Sequence, residues 1–399
     1  MTVEPSRAPA PLPVQASSPA ALAAYLSSHL DDMVEEMRRL VEIETPSGDE
    51  QGIATAAALL AGRWRPLGCR VDEYPAPGVG VHLAVHIPGR GEDGAQGDGR
   101  YVLVLGHVDT VHPRGTLAAT PFRVQGDRAW GPGTYDMKGA LVMMAWAVQA
   151  LRAVGSGPRR PVTLLLTADE EVGSHTSRPL IDRFAAGATC ALVLEPAAPG
   201  GAVKTARKGV AQYRLSVTGR SAHAGNDFSR GINANVALAR LVLAAASLSD
   251  PERGTTVNVG VIGGGTRPNV VPERAWADID VRFTTRAEAE RIDRALRALT
   301  ADGGTVFEVS GGVNRWPLER TASAGLYEHA RALAASLGLE LPEAQVGGAS
   351  DGNLTAELGL PTLDGLGPEG DGAHSSQEHV YLPSLPVRTA LLALILETL

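Results

Sequence analysis

In this chain an acid or a histidine falls, again and again, just past the end of an apolar run. YVLVLGHVDT (101–110) runs into His107 and Asp109, PVTLLLTADEE (161–171) into Glu170 and Glu171, and CALVLEP (190–196) into Glu195. A short apolar run with a polar end reads as a buried strand whose terminus presents side chains. Open α/β sheets place their ligand sites outside such strand ends. Helical spacing over 20–44 and the apolar segment ALVMMAWAVQALRAV (140–154) supply flanking helices, and VHLAVHIPG (81–89) a further strand. The expected architecture is an α/β sheet covered on both faces.

From about residue 210 the pattern changes. AQYRLSVTG (211–219), TTVNVGVIGGG (255–265), AWADIDVRF (275–283) and TVFEVSGG (305–312) read as strands, several with the alternation of half-exposed ones, while 232–248 and 287–300 read as helices. Two helices with about four strands predict a compact α+β unit inserted into the first domain. The expected organisation is a disordered Pro- and Ala-rich tail over 1–19, a catalytic domain from 20–210 and 318–399, and the insertion at 211–317. GEDGAQGDG (91–99) reads as a flexible loop.

At 399 residues, two domains are the natural expectation. The formal net charge of −8 disfavours nucleic acid and anionic membrane as partners. The chain shows no secretory apolar core and no membrane span, so a cytoplasmic location is expected. Cys69 and Cys190 have no metal-ligand spacing and read as buried small hydrophobes. Any metal must therefore be held by His, Asp and Glu.

Each cluster has a bland alternative. His107 could bind a metal through one ring nitrogen while Asp109, two residues on, accepts from the other; the pair could also be a surface turn. Asp136, among the glycines of GPGTYDMKG, could bridge two cations or cap a helix. Glu170 and Glu171 could divide the labour of base and ligand, or mark an acidic helix start. Glu195 could be an exposed strand end. His374, in GAHSSQEHV, fits a ligand, whereas His379 reads as structural. Coincidence is a poor account of acids and histidines at strand after strand.

Taken together, GHVDTVHPRGTL, PFRVQGDRAWGPGTYDMKGA, LLTADEEVGS, LEP, SAHAG, NVVP, DVRF, GGASDGN and HSSQEHV resemble the di-zinc aminoacylase and carboxypeptidase family, most closely its glutamate carboxypeptidase branch. That resemblance implies a zinc-peptidase-like mixed sheet flanked by helices, with the insertion as a lid and dimerisation domain, and hence a homodimer. It implies two Zn2+ ions, with Co2+ or Mn2+ also accepted by such a site. His107, Glu195 and a bridging Asp136 would hold one ion. Asp136, Glu171 and His374 would hold the other. Asp109 would orient His107, and Glu170 would serve as general base and then acid. His223 of SAHAG would reach the partner subunit's active site and stabilise the oxyanion; on its own it reads as a loop histidine. Asn269 and Arg282 would contact substrate, the arginine forking onto a free carboxylate; the competing reading of Arg282 is an ion pair with Asp280 or Asp278. Arg315 would be a second carboxylate contact.

Two departures stand out. His112 occupies a position where close relatives more often carry an aromatic or aliphatic residue, and reads as structural. The loop after Glu195 is basic, with Lys204, Arg207 and Lys208, which departs from the glutamate-selective pattern. The expected activity is hydrolysis of an amide beside a free carboxylate, releasing a C-terminal, glutamate-like amino acid from a small peptide. The alternative is deacylation of an N-acyl amino acid, and a remote one is a non-catalytic binding protein. An aminopeptidase would want a carboxylate where DVRF offers arginine.

Overall fold

The computed structural model describes residues 17–90 and 99–399. The tail expected over 1–19 lies outside these up to residue 16, as does most of the loop expected at 91–99. Pro19–Ser28 is already helical.

A six-stranded mixed sheet forms the centre, in the order Arg70–Ala76, Gly80–Ile87, Val162–Thr167, Tyr101–His107, Ala188–Val193, Thr362–Leu363. The first three are antiparallel neighbours, and the last four run parallel. Parallel strands bring their C-terminal ends to one edge. Register does the rest: His107 pairs with Thr167 and Leu105 with Val193. Glu170, Glu171 and Glu195 therefore emerge beside His107.

The Val162–Thr167 strand is buried at every position, as expected for a strand covered on both faces. One cover is the helix Gly139–Ala153, packed against Ser384–Thr398. Both helices are apolar almost all round, the mark of elements buried on every side. Arg388 lies fully inside this layer and donates to the carbonyls of Gly367, Gly365 and Gly201 at 2.6, 2.9 and 2.8 Å. It thus ties the loop that follows the edge strand to the loop that follows Glu195.

The single helix expected over 20–44 is two, Pro19–Ser28 and Leu30–Val41, broken at His29. The Ser28 hydroxyl donates to the Tyr25 carbonyl at 2.8 Å, and His29 Nδ1 lies 2.8 Å from the same oxygen. Side chains that take up a helix carbonyl compete with the next turn of backbone bonding.

A second sheet is antiparallel throughout, in the order Thr256–Gly264, Arg274–Phe283, Gly209–Thr218, Val306–Arg315. Helices Ala234–Ala246 and Arg286–Arg297 complete it. It has its own core, with Leu215, Ile279, Phe283, Leu238, Leu241 and Ile292 among its members. Burial along Arg274–Phe283 alternates strictly, as the AWADIDVRF pattern requires. The strand expected to end at 312 continues to Arg315 and pairs it with Val210, which carries the guanidinium to the central sheet.

Candidate metal centre

Five segments converge at the C-terminal ends of the parallel strands. His107 closes its strand fully buried. Its Nε2 faces Asp136 Oδ1 at 3.1 Å and Glu195 Oε1 at 3.5 Å. Asp136 comes from the glycine-rich loop before helix Gly139–Ala153. Its other oxygen, Oδ2, lies 3.4 Å from His374 Nε2, and Glu171 Oε2 lies 3.4 Å from the same nitrogen. His107, Asp136, Glu171, Glu195 and His374 are thus gathered around one centre. Glu170 joins them: its carboxylate comes within ligand distance of His107 and Glu195 together.

His374 is held at φ 64°, in the left-handed region. For a non-glycine residue this costs on the order of 1–3 kcal/mol, which its surroundings must offset.

Asp109 acts differently from the expected carboxylate partner of His107. Its main-chain carbonyl accepts from His107 Nδ1 at 2.9 Å, while its Oδ1 is 3.5 Å away. The carboxylate instead accepts the main-chain N–H groups of Glu170 and Glu171, both at 3.2 Å, and the Ser47 hydroxyl at 2.7 Å. One residue therefore fixes the imidazole tautomer through its backbone and the Glu170–Glu171 turn through its side chain. With Nδ1 protonated, a neutral His107 points a lone pair at carboxylate oxygens.

The electrostatics match this crowding. Burial drives the Glu170 carboxyl well above the usual range, against the pull of Arg315. Burial also raises Glu171, offset by His374. Contacts with Asp136 and Glu171 push His374 up to about 10. Burial opposes a charge on His107, yet Asp109, Asp136 and Glu195 carry it well above its ordinary value. Burial likewise opposes the charge on Asp136, which His107 and His374 nonetheless hold below the usual carboxylate range. Four acids around two imidazoles call for positive charge at their centre. Glu171 Oε1 is buried with no hydrogen-bond partner, as an oxygen reserved for a cation would be. The donor set is nitrogen and oxygen only, and it suits zinc and the neighbouring divalent metals.

Arg207, read from sequence as a departure in specificity, and Arg315, expected as a carboxylate contact, complete the wall. Arg207 forks onto Asp364 at 2.6 and 2.9 Å and reaches Glu195 Oε2 at 3.1 Å. Burial and the charge of Asp136 oppose ionisation of Glu195, but Arg207, His107 and Lys204 hold its carboxyl low. Arg315 Nη2 contacts Glu170 Oε1 at 3.2 Å, Ser174 Oγ at 2.6 Å and Asp351 Oδ1 at 3.0 Å. Asp351 lies in GGASDGN and Ser174 in TADEEVGS, so both motifs carried the signal, but not the partnership.

The remaining expected residues lie on the second sheet's unit. His223 sits in the two-residue strand Ala222–His223, paired with Val270–Val271, and the Ala224 N–H donates to the Asn269 carbonyl at 3.0 Å. His223 Nδ1 accepts from the N–H groups of Gly225 and Asn226 at 3.1 and 3.0 Å, leaving Nε2 to carry the proton. Arg282 forks onto Asp280 at 2.8 and 3.0 Å. Among the described residues, no hydrogen bond or ion pair joins His223, Asn269 or Arg282 to the cluster of acids and imidazoles around His107. His379 stacks on Trp130 with ring centroids 4.3 Å apart, a packing role.

A cluster of acids and imidazoles at strand ends, on a mixed sheet with an inserted α+β unit, is the arrangement a metallohydrolase requires. The model for the family described as Peptidase family M20/M25/M40 matches residues 103–398, and the chain belongs to that family. It is therefore a hydrolase acting on amide bonds. Carboxypeptidase G2 of Pseudomonas sp. strain RS-16 is 30% identical over 379 residues, spanning 90% of this chain and 88% of the relative. A succinyl-diaminopimelate desuccinylase of Acidovorax ebreus is 29% identical, spanning 81% and 88%. The fold is shared with an aminopeptidase of Bacillus cereus at a TM-score of 0.77 and 22% identity, covering 92% of this chain and 98% of that one. Among the described residues no helix is long and apolar enough to cross a membrane.

Proposed function

We propose that this protein is a di-zinc carboxypeptidase that releases a C-terminal, glutamate-like amino acid from a small peptide. The observation that carries the reading is Asp136, whose two oxygens face two different imidazoles at 3.1 and 3.4 Å. His107, Glu195 and Asp136 would hold one ion, and Asp136, Glu171 and His374 the other. Ions bound there would polarise the scissile carbonyl and ease loss of a proton from water. Glu170 takes that proton as general base and returns it to the leaving amine. Its support is a buried carboxylate steered by Arg315 and anchored through Asp109.

The free carboxylate of the substrate would be read by Arg282, exchanging Asp280 for the ligand, and by Arg315, whose Nε is buried without a partner. Asn269 would contact substrate beside them. His223 would serve the partner subunit's site, where its protonated Nε2 can donate to an oxyanion. The dimer this requires is supported by exposed apolar residues along one edge of the second unit. Leu243 and Val236 stand on helix Ala234–Ala246, with Ile262 and Val261 on the edge strand Thr256–Gly264, which pairs on one side only among the described residues. Edge strands with exposed apolar side chains are ready to pair. Leu243→Glu combined with Ile262→Lys is expected to give monomers in analytical ultracentrifugation and to lower kcat by about 100-fold or more, the scale of losing one oxyanion donor. A dimeric or fully active double variant would refute the shared site.

The second reading is hydrolysis of an N-acyl amino acid. It is favoured by the desuccinylase relatives. Product analysis decides between the two. Dipeptides with C-terminal glutamate and N-succinyl or N-acetyl amino acids are offered at matched concentrations, with and without a chelator. Faster release of free glutamate from dipeptides, abolished by chelation, supports the first; preference for the acylated series selects the second. Turnover that survives complete metal removal would sink both.

A further inference from the structure

Glu378 lies in the same loop as His374, four residues on, and its side chain is almost wholly inaccessible. Its carboxylate takes up the main chain of the loop that carries Asp136, and among the described residues no hydrogen bond or ion pair joins it to the side chains of the candidate metal site. Oε1 accepts the main-chain N–H groups of Tyr135 at 3.0 Å and Asp136 at 2.9 Å. Oε2 accepts the Gly133 N–H at 2.9 Å and meets His112 Nε2 at 2.6 Å. The loop needs these acceptors because Asp136 and Met137 leave helical geometry, so their neighbours' N–H groups lose the regular ladder. Gly133 adds to the tightness: it sits at φ 74°, and a Cβ there would meet Thr110 Cγ2 at 2.8 Å.

We infer that Glu378, held in turn by His112, is the positioning residue that sets the bridging carboxylate of Asp136 and the imidazole of His374 in one fixed relation. This rests on the dinuclear reading above and extends it to a residue that need touch neither ion. A carboxylate with four donors around its two oxygens has no free direction left. The loop behind Asp136 and the loop bearing His374 therefore move as one body, and the 3.4 Å separation of Asp136 Oδ2 from His374 Nε2 follows from that bond set. His112 Nε2 must carry the proton in this contact, because a carboxylate only accepts.

The replacement that tests this is Glu378→Gln. Its amide NH2 must face either the N–H pair of Tyr135 and Asp136 or that of Gly133 with His112, so one pair meets a donor instead of an acceptor. The measurement is competition between the metal-free protein and a chromogenic chelator for Zn2+, with the visible spectrum of the Co2+-loaded protein as a second readout. Glu378→Gln is expected to hold both ions about 10- to 100-fold more weakly, the range for outer partners of metal ligands, and to shift the Co2+ bands while circular dichroism stays unchanged. His112→Phe, which removes one donor and keeps a ring, is expected to weaken the site about fivefold, the scale of one hydrogen bond. A folded Glu378→Gln protein with wild-type affinities and an unshifted Co2+ spectrum overturns the inference. If that variant does not fold, unchanged affinity in His112→Phe overturns it instead. Failure of the wild-type protein to bind divalent ions at all would be a different result, removing the dinuclear reading itself.

Discussion

Glu170→Gln is expected to lower kcat by about 10²- to 10⁴-fold, the usual contribution of a general acid–base group, with KM nearly unchanged and both metal ions retained. Glutamine keeps the shape of the side chain, and its carbonyl oxygen can still accept from Arg315 Nη2, now 3.2 Å from Glu170 Oε1. The main-chain bond from the Glu170 N–H to Asp109 is untouched. What disappears is the ability to accept a proton from water and give it to the departing amine. The experiment is a steady-state assay on the best substrate, with metal content of the same preparation measured by elemental analysis. The second measurement is needed because Glu170 sits close enough to His107 and Glu195 to serve as a ligand. Loss of an ion in the variant would recast Glu170 as a ligand, and turnover within tenfold of wild type would remove it from the chemistry altogether.

The division between what the sequence discloses and what it hides follows the range of the interactions. Three of the four parallel strands are legible because each is an apolar run fit for a doubly covered sheet; the fourth, Thr362–Leu363, is two residues long and carries no such signal. The polar residue that breaks each run must lie at the same edge. His107, Glu171 and Glu195 stand out as candidates for that reason, and glycine-rich loops mark Asp136 and His374, but their grouping into one proposed ligand set comes from the family resemblance. Partners are another matter. Arg207 reaches Asp364 across 157 positions of sequence and Glu378 reaches Tyr135 across 243. No local pattern encodes such a pairing, so a basic loop read alone suggests altered specificity rather than the support of Glu195. Asp109 shows a subtler limit: its spacing marks it as a partner of His107, but only in the fold is it seen that the carbonyl accepts from Nδ1. Helix Glu50–Trp64 is alanine-rich, with weak contrast between its faces, and a periodicity argument has little to grip there. The break at His29 depends on two side chains competing for one carbonyl, which helical spacing over 20–44 cannot foresee.

Asp136→Asn should separate the ligand role from the base role most sharply. Asparagine is isosteric, and the N–H of residue 136 would still donate to Glu378, so the loop has every reason to keep its course. One of the two atoms facing His107 Nε2 and His374 Nε2 nevertheless becomes an NH2 group, which has no lone pair to offer a cation. A unit of negative charge that would face a bound cation also leaves the pocket. If Asp136 bridges, no choice of amide rotamer can serve both ions. The protein should then retain at most one ion tightly, and the affinity for the second should fall by more than the roughly 100-fold that marks loss of an outer partner. Activity should fall with it and should not return on adding excess Zn2+, because the missing oxygen belongs to the protein. Chelator competition counts the ions and gives their affinities, and the same titration on Glu170→Gln is the internal control, with two ions bound. Were Asp136→Asn to bind two ions with wild-type affinity, its carboxylate would not lie between them, and the dinuclear centre would have to be rebuilt around Glu170, His107 and Glu195.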